Sequence, residues 1–185
     1  MFADARSKKL VIVSHCILNQ NSISDATADF PSQYKQITDL LIDNNIGIIQ
    51  LRCPELTCLG LNRQDDLGGT RELLQENSRI RVLLEKRESK EKINTEVAML
   101  KNEIKEYLKY GFNIMGIIGV DRSPSCGIET TSKDNQETSG YGVFMGAIKE
   151  MLDKEGLNIL MVGTRTGRVE ESIKLVKEMI DREKI

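Results

Sequence analysis

The sequence predicts an α/β fold: an open three-layer sandwich around a mainly parallel sheet, of Rossmann or flavodoxin type. Three observations carry that expectation. Four short runs are apolar throughout, the habit of strands buried on both faces. Amphipathic stretches with helical spacing alternate with them. The 185 residues, 39% of them hydrophobic, suit a single domain over 1–185 with a full core.

The elements follow in order. "KKLVIVSHC" reads as a buried strand ending at Ser14 or His15. A helix is expected over "SQYKQITDLLIDNN", where Tyr34, Ile37, Leu40 and Leu41 share a face and "NNIG" marks the stop. "IGIIQLRC" is the second strand. From Leu56 to about Ser89 the pattern is least regular; "LGGTRELLQ" reads as a loop entering a short helix, and the segment is read as a place for extra short elements over the site. The longest helix is expected over "EKINTEVAMLKNEIKEYLKYG", with Ile93, Val97, Leu100, Ile104 and Tyr107 as its apolar stripe and Gly111 as its end. "FNIMGIIGV" is the third strand, and the polar "IETTSKDNQETSG" is expected as a surface loop. "YGVFMGAIKEMLDKEG" is a helix buried on Val143, Phe144, Ala147, Ile148, Met151 and Leu152. "LNILMVG" is the fourth strand. "GRVEESIKLVKEMIDREK" is the last helix, buried on Val169, Ile173, Val176 and Ile180.

Composition narrows the function. A formal charge of −2, no Trp and 4% aromatic residues argue against nucleic acid and acidic membrane surfaces as partners. No apolar run is long enough to span a bilayer. The start, "MFADARSKK", lacks the apolar core of an export signal, so a cytoplasmic location is expected. No G-x-G-x-x-G follows the first strand, which argues against a dinucleotide site.

The four cysteines are more informative. In a reducing compartment cysteines are buried, metal-bound or reactive. Cys16, Cys53 and Cys126 each fall just past the C-terminal end of a predicted strand. In a parallel sheet those ends share the edge where ligands bind, so the three thiols should converge. One such cysteine would be an ordinary small core residue. Three, each in a polar or Gly/Pro-bearing turn, point to a soft metal: zinc or an iron–sulfur cluster. No C-x-x-C pair is present, and Cys58 reads as an inert neighbour. Glu55 puts a carboxylate two residues from Cys53, and Ser123 and Ser125 put hydroxyls beside Cys126. A carboxylate and a hydroxyl next to a Lewis acid suit acid/base hydrolytic or lyase chemistry. Glu55 as a helix-start carboxylate and Ser123 as a plain turn hydroxyl remain open alternatives. His15, the one histidine, is expected in a supporting role, turned away from Cys16 by strand alternation.

"VSHC", "CPE" followed by "LGLNRQ", "SPSCG", and "SGYGV" leading into a helix occur in order along nearly the whole chain. With these motifs the chain resembles the thiouracil desulfidase (TudS-like) family. The resemblance implies a [4Fe–4S] cluster held by Cys16, Cys53 and Cys126, with one iron open to the sulfur of a thiolated substrate. It implies that water replaces that sulfur without net redox change, and that Glu55 and Ser123 handle the protons. Three stretches depart from the family pattern. "LTCLGLNRQ" lacks the glycine pair and the "PR" step, "CILNQNS" lacks a leucine–glycine step, and "VGTRTG" replaces a serine–glutamate pair. All three lie near the expected pocket and leave the ligands in place. The expectation is a divergent desulfidase acting on a small thiolated, thio-nucleobase-like compound. The competing expectation is a non-catalytic zinc- or cluster-binding sensor module using the same three cysteines.

Overall fold

The apolar runs pair with one another because each is too hydrophobic to face water on either side. The computed structural model describes residues 2–182. The elements are β1 (Lys9–Val13), α1 (His15–Leu18), α2 (Lys35–Asp43), β2 (Gly47–Gln50), α3 (Pro54–Leu59), α4 (Leu73–Leu84), α5 (Arg87–Lys109), β3 (Asn113–Val120), β4 (Thr130–Lys133), β5 (Gln136–Ser139), α6 (Val143–Lys154), β6 (Met161–Thr164) and α7 (Val169–Asp181). The main sheet has the order β2-β1-β3-β6 with every pairing parallel. Helices cover both faces, so the predicted three-layer α/β sandwich is the observed one. The end of the predicted last helix, at Glu183 and Lys184, lies outside the described residues.

Strand alternation divides the core. Leu10 and Ile12 face the side covered by α3, α4, α5 and α6. Val11 and Val13 face the side covered by α2 and α7. β3 keeps this division through an irregularity: Leu10 pairs with Ile114 but Val11 pairs with Gly116, so Met115 is an extra residue. Ile114 and Ile117 therefore share one face, and Met115 and Ile118 the other. Ile12, Leu84, Ile117 and Ile148 are wholly buried, each contributing about 1.5–3 kcal/mol.

The helix stripes hold where periodicity is strong. Ile93, Val97, Leu100 and Ile104 of α5 are buried as expected. On α6 the buried set includes Met145, which the expected face omitted. On α7, Ser172 and Met179 are buried, while Val169 and Ile173 are only partly covered.

Two expectations need correction. The polar stretch after the cysteine turn is no surface loop. It forms the hairpin β4–β5, turned at Asp134 and Asn135, both with positive φ. Thr131 and Ser132 are buried against the rest of the molecule; its polar composition hid the pairing. Residues 56–89 hold most of α3, all of α4 and the start of α5, which begins at Arg87. The strand reading of His15 also fails, because β1 ends at Val13 and residues 15–18 turn into α1. Among the described residues no helix is long and apolar enough to cross a membrane.

Candidate functional site

β1 connects to β2 on one side of the sheet, while β3 lies on its other side. A crevice therefore opens beyond the C-terminal ends of β1 and β3, the position where open α/β sheets bind ligands. A cavity of about 330 Å³ occupies it, lined by Cys16, Cys53, Cys126, Glu55 and Ser123 among others. The five site residues expected from the sequence thus meet in one space. Cys58 does not join them: its thiol donates to the Ser89 carbonyl at 3.7 Å, away from the cavity.

Each cysteine is placed by a different local device. Cys16 sits in the first turn of α1. Cys53 caps α3, with Pro54 at the first helical position, and its sulfur accepts the Leu56 N–H at 3.4 Å. Cys126 sits in a turn built around close backbone approaches. A Cβ on Gly127 would lie 2.1 Å from the Thr130 carbonyl oxygen, and one on Gly142 would lie 2.4 Å from the Ser125 carbonyl carbon. The turn's carbonyls also cap the next helix: Val143 N–H donates to Pro124, and Phe144 and Met145 N–H donate to Ser125. The "SPSCG" turn and the "SGYGV" helix start are therefore one structural unit.

Cys126 is buried and Cys16 and Cys53 are half-buried, and withdrawal from water raises all three pKa values. Burial is the largest cause for Cys16, followed by Cys126, Cys53 and Glu55. Burial and Glu55 raise Cys53. Cys126 is pushed up to about 12, first by burial. The Ser14 hydroxyl is buried beside Cys126 and works against that rise.

Glu55 is 5% exposed and is held from three directions. Its Oε1 accepts from Ser125 Oγ at 2.6 Å; its Oε2 accepts from Ser24 Oγ at 3.1 Å and from Arg63 Nε at 3.0 Å. Arg63 is only 2% exposed. Its Nη1 donates to the carbonyls of Gly60 (2.9 Å) and Leu61 (3.0 Å), and its Nη2 to that of Ser22. Ser123 Oγ accepts from the N–H groups of Ser125 (3.3 Å) and Cys126 (3.0 Å), so it does serve the turn. It also lies 3.1 Å from Ser125 Oγ. Ser125 Oγ also lies 3.5 Å from Cys126 Sγ, but Glu55 Oε1 at 2.6 Å is the nearer and charged acceptor; with the Ser125 proton on Glu55, the Ser123 proton goes to Ser125. The result is a directed chain, Ser123 to Ser125 to Glu55.

His15 lines the cavity with Cys16 instead of pointing away, since alternation does not apply in a helix. Its Nδ1–H donates to the Leu51 carbonyl at 3.1 Å, leaving Nε2 to accept from Asn19 at 3.2 Å. At the mouth, Arg165 grips Glu137 through two bonds of 3.0 and 2.9 Å. Arg122 Nε lies 3.4 Å from the same carboxylate, so two cations share one anion there.

The sequence did not assign parts to Ser24, Arg63 or Ser125 as partners of Glu55. Ser125 was legible as a hydroxyl beside Cys126. Ser24 and Arg63 come from separate loops, and no local pattern joins them to Glu55.

An uncharacterized protein of Methanocaldococcus jannaschii is 32% identical over 123 residues, covering 66% of this chain and 70% of the relative. The chain belongs to that protein's family. No family model matches the chain, and no solved structure does.

The motifs imply a cluster, and the cysteines are its candidate donors. Among the described residues no three Cys, His, Asp or Glu side chains close into a single-ion site. A lone zinc would draw its thiolates to within about 4 Å of one another. A four-iron cluster takes each thiolate on a separate iron, across a wider opening. Cys16, Cys53 and Cys126 line the same cavity and are the soft donors such a cluster takes.

Proposed function

We propose that this protein is a desulfidase that converts a thiocarbonyl of a small, thio-nucleobase-like compound to the corresponding carbonyl. The observation that carries the reading is the hydrogen-bonded chain from Ser123 through Ser125 to Glu55, ending in the cavity that three thiols share. A purely metal-holding module has no use for a buried proton path.

Cys16, Cys53 and Cys126 would hold a [4Fe–4S] cluster. Bound there, it would supply a thiophilic Lewis acid for the substrate's sulfur. The chain's own residues handle water and protons. Glu55 accepts a proton from the water whose oxygen attacks the thiocarbonyl carbon. Arg63 and Ser24 hold the carboxylate in place during that transfer. The C–O bond forms, the C–S bond breaks, and both water protons finish on sulfur. Once Glu55 has taken that proton it becomes the donor, the Ser125 and Ser123 hydroxyls turn over, and the proton leaves Glu55 through Ser125 and Ser123. The balance is C=S plus H₂O giving C=O plus H₂S, with no net oxidation or reduction. The reading carries with it a cytoplasmic setting, where thiols stay reduced. It takes a small molecule as partner, with neither nucleic acid nor membrane.

Anaerobic purification followed by iron and sulfide analysis tests the cofactor, which would make the protein brown. Sulfide release from a panel of thiopyrimidines tests the activity. Glu55→Gln and Ser123→Ala should keep iron and lose sulfide release. A protein that holds zinc, or holds iron without releasing sulfide from any compound, is the sensor module instead.

A further inference from the structure

α4 brings to the site a side chain that lies outside every motif shared with the desulfidases. Asn77 is 6% exposed and lines the cavity. Its Nδ2 donates to the Arg122 carbonyl at 3.3 Å and to Ser132 Oγ at 3.2 Å. A carbonyl oxygen can only accept, so the amide's orientation is fixed by its partners. Among the described residues no donor reaches Asn77 Oδ1. Nor is Oδ1 sealed off, since it is not one of the buried polar atoms without a partner. The open space that Asn77 borders is this cavity.

The mounting is rigid. Arg122 has a left-handed backbone, φ 67°. Three bonds hold that conformation: its N–H donates to the Thr130 carbonyl at 3.1 Å, and its own carbonyl accepts from Ser132 Oγ at 2.6 Å and from Asn77. Strain of this kind persists only where the surroundings over-determine it. Asn77 Oδ1 is thus a neutral acceptor without a donor, on a fixed side chain that lines the space the thiols share. A substrate N–H entering that space must find an acceptor or lose its hydration without return. A substrate without the N–H would leave Oδ1 itself unpaired.

We propose that Asn77 is a specificity-determining residue whose Oδ1 accepts a ring N–H of the substrate. The site therefore takes thiolactam-type compounds with a free N–H in preference to their N-alkylated forms. This rests on the desulfidase reading of the cavity.

The test compares 2-thiouracil with its N1-methyl and N3-methyl forms, using sulfide release by the cluster-loaded protein. The wild type should prefer the parent over one methylated form by about three- to tenfold in kcat/KM, the range of one neutral hydrogen bond. Asn77→Ala should bring that ratio to within about twofold of unity, which a loss of general structure would not do. Ser132→Ala removes a support of the Asn77 amide without lining the cavity, and should lower the preference part-way. Wild-type rates equal for all three compounds overturn the inference, as does a ratio unchanged in Asn77→Ala. Should Asn77→Ala not fold, the wild-type series and Ser132→Ala decide. If the wild type releases no sulfide at all, the desulfidase reading falls. NMR titration with uracil and its two N-methyl forms then decides the acceptor separately: weaker binding of one methylated form, lost in the Asn77 variant, upholds it, and equal binding overturns it.

Discussion

Replacing Arg63 with methionine strands a carboxylate. Methionine fills much of the same volume but gives Glu55 no counter-charge and takes the guanidinium donors from the carbonyls of Leu61 and Ser22, while Gly60 keeps the backbone N–H of residue 63. The Arg63 and Glu55 side chains are 2% and 6% exposed, so solvent screens little of the loss. Breaking a buried pair from one side costs about 3–5 kcal/mol, mostly because the remaining charge stays buried. Domains are typically stable by about 5–15 kcal/mol, so about a fifth of the total or more is at stake. At about 2–4 °C per kcal/mol for a chain of this size, Tm should fall by about 6–20 °C. Urea denaturation gives the free energy directly. Adding Glu55→Gln removes the stranded charge, so the double variant should regain about 1–3 kcal/mol over Arg63→Met alone. An Arg63→Met protein within about 1 kcal/mol of wild type would refute the argument. So would a double variant no more stable than the single one.

Three further outcomes follow from the same coordinates. Cys16→Ala, Cys53→Ala and Cys126→Ala should each lose the visible absorption of anaerobically reconstituted protein, while Cys58→Ala keeps it, because only the first three line the cavity. Gly127→Ala should destabilise by about 1–3 kcal/mol or more in urea melts, since its Cβ would press on the Thr130 carbonyl and the backbone cannot yield without moving the Cys126 turn. Glu76 is held below the usual carboxylate range, first by hydrogen bonds from Arg79. Its folded pKa is thus the lower one: its stabilisation is complete above the unfolded value of about 4.5 and drains away as pH falls through the folded value. Glu76→Gln should be less stable than wild type at pH 7, and the gap should narrow below about pH 4.5; a gap independent of pH excludes this account.

Much of the site was legible because it sits at strand ends. β1 and β3 are apolar beyond their first residue and β2 holds two isoleucines, so their positions and parallel pairing follow from sequence, and with them the shared edge where Cys16, Cys53 and Cys126 fall. Fine placement was not legible. His15 was read as part of a strand although the chain turns helical one residue after Ser14. The β4–β5 hairpin was read as a loop because its buried face is threonine and serine, whose burial depends on partners in α4 and Arg122.

By itself the sequence determined the layers, the strand ends, the three thiols and the nearness of Glu55 to Cys53. These follow from local periodicity and short spacings, which act along the chain. The tertiary structure decided what faces Glu55. Ser24, Arg63 and Ser125 reach it from 31, 8 and 70 residues away, and Asn77 reaches the cavity from a helix of its own. Hydrogen bonds need donor and acceptor within about 3 Å in a set direction. Only the packed arrangement of separate loops creates that condition, so the proton path and the open acceptor exist in the fold and not in any stretch of the chain.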